Sequence, residues 1–156
     1  CQVRVIDVSL DGQILSNNLL DFRFDSSAKI ARVSDNVFAV AYTQWNEAGN
    51  EVKVVRFNTD SEIINSASIT DESGLLEVNN LKVAENGDIA VISMKPSFSC
   101  YWKFILTAFD KDMVKIISYE DSFWDVPLRQ MVIGRSYNKN WGIEFPPARA
   151  IVIIPL

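Results

Sequence analysis

Along most of this chain hydrophobic and polar residues alternate with a period of two. The segments QVRVIDVS (Gln2 to Ser9), NVFAVAYT (Asn36 to Thr43), EVKVVRFN (Glu51 to Asn58), DIAVISM (Asp88 to Met94), KFILTAFD (Lys103 to Asp110), VKIISYE (Val114 to Glu120) and RAIVIIP (Arg149 to Pro155) are short and rich in Val, Ile, Phe and Tyr. Asp, Asn, Gly and Ser bound them. Successive side chains of an extended backbone point to opposite faces, so this alternation predicts strands. An i, i+3, i+4, i+7 spacing is nowhere sustained behind a cap, although Asp25 to Arg32 has room for one helical turn. The pattern predicts an all-β chain.

The strands recur at a fixed distance. VRVIDVSLDGQILS (Val3 to Ser16) aligns with VKVVRFNTDSEIIN (Val52 to Asn65) at an offset of 49, matching Val3 to Val52, Val5 to Val54, Val8 to Phe57, Asp11 to Asp60 and Ile14 to Ile63. A third copy, FILTAFDKDMVKII (Phe104 to Ile117), follows at an offset near 52, with Phe109 under Phe57 and Asp112 under Asp60. Each copy reads as strand, Asp-bearing turn, strand. Between the copies lie KIARVSDNVFAVAYTQ (Lys29 to Gln44) and LKVAENGDIAVISMK (Leu81 to Lys95), each a short strand, a turn and a strand containing Ala-Val. In the last third LRQMVIG (Leu128 to Gly134) and ARAIVII (Ala148 to Ile154) are a degraded form of this hairpin, separated by a longer insertion.

The expected organisation is therefore one domain over 1–156 of three tandem four-stranded units, approximately 3–51, 52–102 and 103–156. A period near fifty residues with four strands suits propeller blades, because a lone sheet cannot bury both faces and must stack on neighbours. Three repeats of this length also suit the threefold β-trefoil. The order FAVAYTQ…EVKVVRFNTD resembles the β-propeller-type repeats of secreted bacterial and archaeal surface proteins, in which an apolar strand precedes a polar loop and an RF-D-DG hairpin. The resemblance is good over 28–70, fair over 77–118 and poor after Asp121. It implies a propeller-blade architecture and a secreted or cell-surface setting. Asp60-Ser61 and Asp112-Met113 stand where Asp-Gly is usual, and only Asp11-Gly12 fits.

Composition narrows the function classes. With 156 residues, 48% hydrophobic and 22% charged, the chain is long enough for one core. The net charge of −5 and the lack of a Lys/Arg cluster argue against nucleic acid as a partner. The longest apolar run, Ala150 to Leu156, is one strand long, far short of the roughly 20 residues of a membrane-spanning helix. A start at Cys1 rather than Met points to removal of an upstream segment, to a larger precursor or to a truncation; one version is a bacterial lipoprotein anchored through Cys1. Cys1 and Cys100 form a single disulfide in an oxidising compartment or remain two thiols.

Candidate chemistry is sparse. The chain has no histidine, which removes Ser-His-Asp and Cys-His nucleophile systems and the usual zinc sites. No catalytic residues and no metal site are assigned, no cofactor is expected, and the chain reads as a non-enzyme. Calcium is the one cofactor weighed: NTDSE (Asn58 to Glu62), DKD (Asp110 to Asp112) and ENGD (Glu85 to Asp88) each offer oxygens, but none has EF-hand spacing, and Asp and Asn favour turns for their own backbone hydrogen bonds. Trp45 in the loop TQWNEAGNE (Thr43 to Glu51), Trp124 in DSFWDVP and Trp141 in NKNWGIE are flat aromatics beside amides and carboxylates, suited to gripping a glycan or protein surface. Trp102, within CYWKF, is better suited to filling gaps between sheets.

The terminal strand, with Ile151, Val152, Ile153, Ile154 and Leu156, is unusually apolar and follows the break at Pro146-Pro147. It either closes a sheet or is donated to a neighbour, and it is expected to carry an assembly contact. The expected partners are copies of the chain itself or another surface protein, with a glycan as the alternative expected of a lectin-like trefoil.

Overall fold

A computed structural model describes residues 2–23, 27–47, 49–95, 101–124, 132–135, 141–145 and 150–154. All regular structure among them is β-strand. In chain order the strands are β1 (Gln2–Val8), β2 (Ile14–Arg23), β3 (Ala28–Ser34), β4 (Val37–Asn46), β5 (Gly49–Asn58), β6 (Ile63–Ile69), β7 (Glu77–Val83), β8 (Ile89–Lys95), β9 (Tyr101–Phe109), β10 (Lys115–Trp124), β11 (Val132–Arg135), β12 (Trp141–Phe145) and β13 (Ala150–Ile154).

These strands form four antiparallel sheets, each joining consecutive strands: β1-β2, β3-β4-β5-β6, β7-β8-β9-β10 and β11-β12-β13. The expected all-β class holds, with two four-stranded sheets rather than three four-stranded units. The sheets also break at other places than expected. A boundary at 51/52 falls inside the β4–β5 hairpin, where Thr43 pairs with Val52 and Gln44 with Glu51. The repeat was phased on its hairpins, and a hairpin is equally regular whether it ends one sheet or bridges its centre.

Two further expectations are corrected. Over residues 28–32, where a helical turn was allowed, the chain is extended in β3 and pairs with β4. The residues read as an insertion between LRQMVIG and ARAIVII contain β12, which pairs with both β11 and β13 and is the centre of its sheet.

The two four-stranded sheets stack face to face. Ala39, Ala41, Val52, Val54 and Ile69 of the first meet Val78, Leu81, Ile89, Val91, Ile105 and Phe109 of the second in one buried cluster. Each sheet is also buried on its far side, through Val40, Tyr42, Val55 and Phe57 in one case and Ala90, Ile92, Phe104, Leu106 and Ala108 in the other. A strand buried on both faces has no polar side to show. The central strands accordingly read as near-continuous apolar runs, VFAVAY in β4 and IAVIS in β8. Removing each large side chain from water contributes about 1.5–3 kcal/mol.

Four hairpins share one turn. In the β1–β2, β5–β6, β7–β8 and β9–β10 connections, the first residue's N–H donates to the fifth residue's carbonyl, and the fourth residue's N–H donates back to the first (Ser9/Gln13, Asn58/Glu62, Ala84/Asp88 and Asp110/Val114), at 2.8–3.0 Å. The fourth residue is left-handed in every case: Gly12 (φ 86°), Ser61 (67°), Gly87 (86°) and Met113 (64°). This is the three-residue hairpin loop built on a type I turn and a left-handed bulge residue. The Asp-Ser and Asp-Met turns therefore adopt the same conformation as Asp-Gly.

Candidate functional site

The β4–β5 connection lies at the end of its sheet opposite the β5–β6 turn and carries Trp45. TQWNEAGNE was expected to be a loop. Instead β4 runs through Trp45 to Asn46 and β5 begins at Gly49, with Trp45 opposite Asn50 and Asn46 opposite Gly49. Trp45 thus stands on a strand end, 65% exposed. The chain reverses at Gly49, whose φ of +120° suits glycine and whose missing Cβ is essential, since one would lie 2.5 Å from the Gly74 carbonyl oxygen.

That close approach fixes the segment joining the two large sheets. Asn50 N–H donates to the Gly74 carbonyl at 2.7 Å, and Asn50 and Leu75 form an isolated parallel bridge. Asp71 organises the segment from within: it accepts from the N–H of Ser73 at 2.8 Å and from the Ser73 hydroxyl, and it pairs with Lys95 Nζ at 2.7 Å. Burial works against the charged carboxylate, but the hydrogen bonds from Lys95 and Ser73 outweigh it and hold Asp71 at a pKa of about 2. Nearby, Val78 N–H donates to Thr43 Oγ1 and Ser27 Oγ to the Val78 carbonyl, both at 3.0 Å, tying β4 and the start of β3 to β7. Glu51 accepts from Asn46 Nδ2 at 3.2 Å and lies 3.3 Å from Lys53 Nζ. Beside it, burial first and the Glu51 charge second push the Tyr42 hydroxyl above its usual pKa. Trp45 is therefore an exposed aromatic at the edge of a well-braced polar surface.

The other tryptophans are placed by their strands. Trp124 ends β10 opposite Tyr101, as Trp45 lies near the end of β4, whereas Trp141 opens β12 directly after the β11–β12 connection. By topology Trp45 and Trp124 share the end of the strands away from the Asp-bearing turns. The side chains of Trp102, Trp124 and Trp141 lie outside the described residues. Of the terminal strand, Ile151 to Ile154 belong to β13 and pair with β12, from Glu144↔Ile151 to Trp141↔Ile154, so this strand closes one side of its own sheet. Its side chains, together with Leu156, Cys1 and Cys100, lie outside the described residues.

The oxygen-bearing turns weighed for calcium engage their own backbone. Asn58 Oδ1 accepts from the N–H of Glu62 at 2.9 Å, Asp110 Oδ1 from those of Asp112 and Val114 at 2.9 Å, and Asn86 Oδ1 from that of Asp88 at 3.3 Å. Ser9 plays the same part in the first turn, accepting from Gln13 N–H at 3.0 Å, while its hydroxyl donates to Asp11 and lowers that carboxyl's pKa. Among the described residues, no group of three or more His, Cys, Asp and Glu is placed to hold a metal ion. Sequence reasoning missed Asp71 and Lys95. Each is an ordinary surface residue in its own segment, and only the stacking of the sheets brings them together.

No family model matches the chain. A curated relative, an ATP-dependent helicase/deoxyribonuclease component from Clostridium novyi (strain NT), is 28% identical over 145 residues, covering 88% of this chain and 12% of that protein. The chain thus spans about an eighth of the relative's length. A likeness of this identity and extent assigns no family.

Proposed function

We propose that the chain is a non-catalytic binding or assembly module of a secreted or cell-surface protein, built of propeller-type blades. The observation that carries this reading is the stacking of two equal four-stranded meanders that each have both faces buried. Blades need this arrangement, because each sheet completes its core only against its neighbours. Consecutive meanders in register also suit blades better than a trefoil, whose strands are shared between a barrel and a cap. The surface setting rests on the resemblance of FAVAYTQ…EVKVVRFNTD to the repeats of such proteins.

Assembly is favoured by the edges of the stack. The two-stranded β1-β2 sheet leaves Ile6 (49%), Leu15 (63%) and Leu19 (46%) exposed, and the outer strands of the broader sheets likewise expose Ile30, Ile63, Ile64 and Ile116. β13 is an end strand of its sheet, with pairing groups along one side directed away from β12. An acidic chain without a basic cluster suits a protein or glycan partner better than a phosphodiester backbone. The test is native mass by multi-angle light scattering across a hundredfold range of concentration. A mass above 17.6 kDa that falls on dilution is expected. A constant monomer mass overturns the self-assembly part of the reading, and turnover of any glycoside or ester in a chromogenic panel overturns the non-catalytic part.

A further inference from the structure

Between the outer strands of the two large sheets the apolar layer gives way to a cleft of about 380 Å³. One wall is the end of β6 and the residues after it, from Ser68 to Asp71; the other is formed by Ile105 and Thr107 of β9 and by Lys115, Ser118 and Glu120 of β10. Thr107 is 1% exposed, and its hydroxyl has no hydrogen-bond partner. The same is true of Ser93, which lies opposite Ile105 on β8. Orphaned buried hydroxyls are rare in folded proteins and call for an explanation.

The repeat shows how the cleft arose. Phe57 and Phe109 hold the same position in the two sheets, each at the head of the shared turn, and the pairing registers relate every other position to them. On the face of the second sheet that looks across the cleft, Thr107 stands where the first sheet has Val55, Ser93 where it has Tyr42, Lys115 where it has Ile63, and Glu120 where it has Ser68. Ile105 replaces Lys53, whose Nζ in the first sheet reaches across to Ser68 Oγ at 2.7 Å. Bulk has been removed at Ser93 and Ile105, and hydroxyls and charges from Thr107, Lys115 and Glu120 now line the gap. The opposite face gained apolar bulk: Phe104 replaces Val52, Leu106 replaces Val54, Ile92 replaces Ala41 and Met94 replaces Thr43.

The charges in the cleft indicate what it accepts. Asp71 is paired with Lys95 at 2.7 Å and Glu120 with Lys103 at 3.3 Å, whereas Lys115 has no ion pair among the described residues. The lining therefore offers one uncompensated cation, the hydroxyl groups of Thr107 and Ser118, and the Glu120 carboxylate as an acceptor. We propose that this cleft binds a small hydroxylated carboxylate of the sugar-acid class, its carboxylate against Lys115 and its hydroxyls against Thr107, Ser118 and Glu120. A charge-assisted contact supplies the specificity for the acid, and the hydroxyls give an orphaned donor its acceptor.

This inference extends the binding-module reading to a ligand class, and the two fail separately, since one is read by calorimetry and the other by mass. The experiment titrates D-glucuronate and D-galacturonate, with D-glucose and D-galactose in parallel, into the full chain and into Thr107→Val and Lys115→Ile. Both substitutions install the residue that the other sheet already carries, so the fold should tolerate them, and circular dichroism verifies it. The expected result is millimolar or tighter binding of a sugar acid, about tenfold weaker binding to Lys115→Ile, and severalfold weaker binding to Thr107→Val. Neutral hexoses should bind about tenfold more weakly than the acid. Absence of heat and of chemical-shift change at about 50 mM of both sugar acids overturns the proposal. Unchanged binding in both variants, or equal affinity for the neutral hexoses, overturns it as well.

Discussion

The β3–β6 and β7–β10 sheets have the same strand order, the same turn between their third and fourth strands, and the same phenylalanine at the head of that turn. They differ in what lies between their outer strands. The first sheet presents Tyr42, Val55 and Ile63 on the face where the second presents Ser93, Thr107 and Lys115. Two sheets with one backbone plan thus separate what the fold requires from what a site requires. Phe57 and Phe109 belong to the plan, and the residues around the cleft do not.

The largest expected effect tests the shared plan. Phe109 is 2% exposed and lies in the cluster between the sheets, while Phe57 is fully buried on the far face of its sheet, stacked on Phe38 with ring centroids 5.9 Å apart. If the two positions are equivalent, Phe57→Ala and Phe109→Ala each destabilise the protein by about 3–5 kcal/mol in urea unfolding. A cost below about 1 kcal/mol at Phe57 alone would mean that its face is not covered as that of Phe109 is, and the equivalence would fail.

The alternation of residues made the strands legible, and the offsets of 49 and 52 made the shared hairpin legible down to Asp11, Asp60 and Asp112. Three things were hidden for physical reasons. The boundaries of the sheets depend on which hairpin edges remain unpaired, which no local pattern encodes. β12, WGIEF, alternates Trp141, Ile143 and Phe145 with polar or small residues, but it is only five residues long and carries a glycine at its second position, so its strand signal is short and interrupted. The cleft is invisible in any single segment, because Thr107 and Lys115 read as ordinary strand and turn residues until they are set against Val55 and Ile63. The aligned repeats contain that comparison, but only the register shows that the four replacements share one face.

A middle-sized effect tests the joint between the sheets. Lys95 occupies the position that Gln44 holds in the first sheet, so the Asp71–Lys95 pair has no counterpart there. With its folded pKa held at about 2, below that of an unfolded aspartate, Asp71 contributes stability that is fully present above about pH 4 and is lost as the pH falls toward 2. Solvent reaches the pair, which limits the contribution to about 1 kcal/mol. Asp71→Asn should therefore be less stable than the parent by that amount at pH 7, and the gap should close near pH 2. A gap that persists unchanged at acid pH would place the effect in the turn hydrogen bonds to Ser73 instead of in the ion pair.

The smallest effect separates strain from packing within the shared turn. Ser61 and Met113 both sit in the left-handed conformation that Gly12 and Gly87 adopt without penalty. A side chain there costs about 1–2 kcal/mol, and replacing it with glycine returns that strain at the expense of about 0.5–1 kcal/mol of added freedom in the unfolded chain. At Ser61 little else changes, because its hydroxyl is buried without a partner and its loss removes an unfavourable group. Ser61→Gly should raise the melting temperature by about 1–2 °C. Met113 is 7% exposed and belongs to the cluster between the two sheets, so its side chain also holds them together. Met113→Gly gives up that burial, worth about 1.5–3 kcal/mol, and should lower the melting temperature despite the same relief of strain. Opposite signs at equivalent positions are the signature of a turn whose backbone is common to both sheets but whose side chain faces a core in only one. If both substitutions stabilise the protein, Met113 contributes nothing to the stacking and the inter-sheet core ends at Phe109.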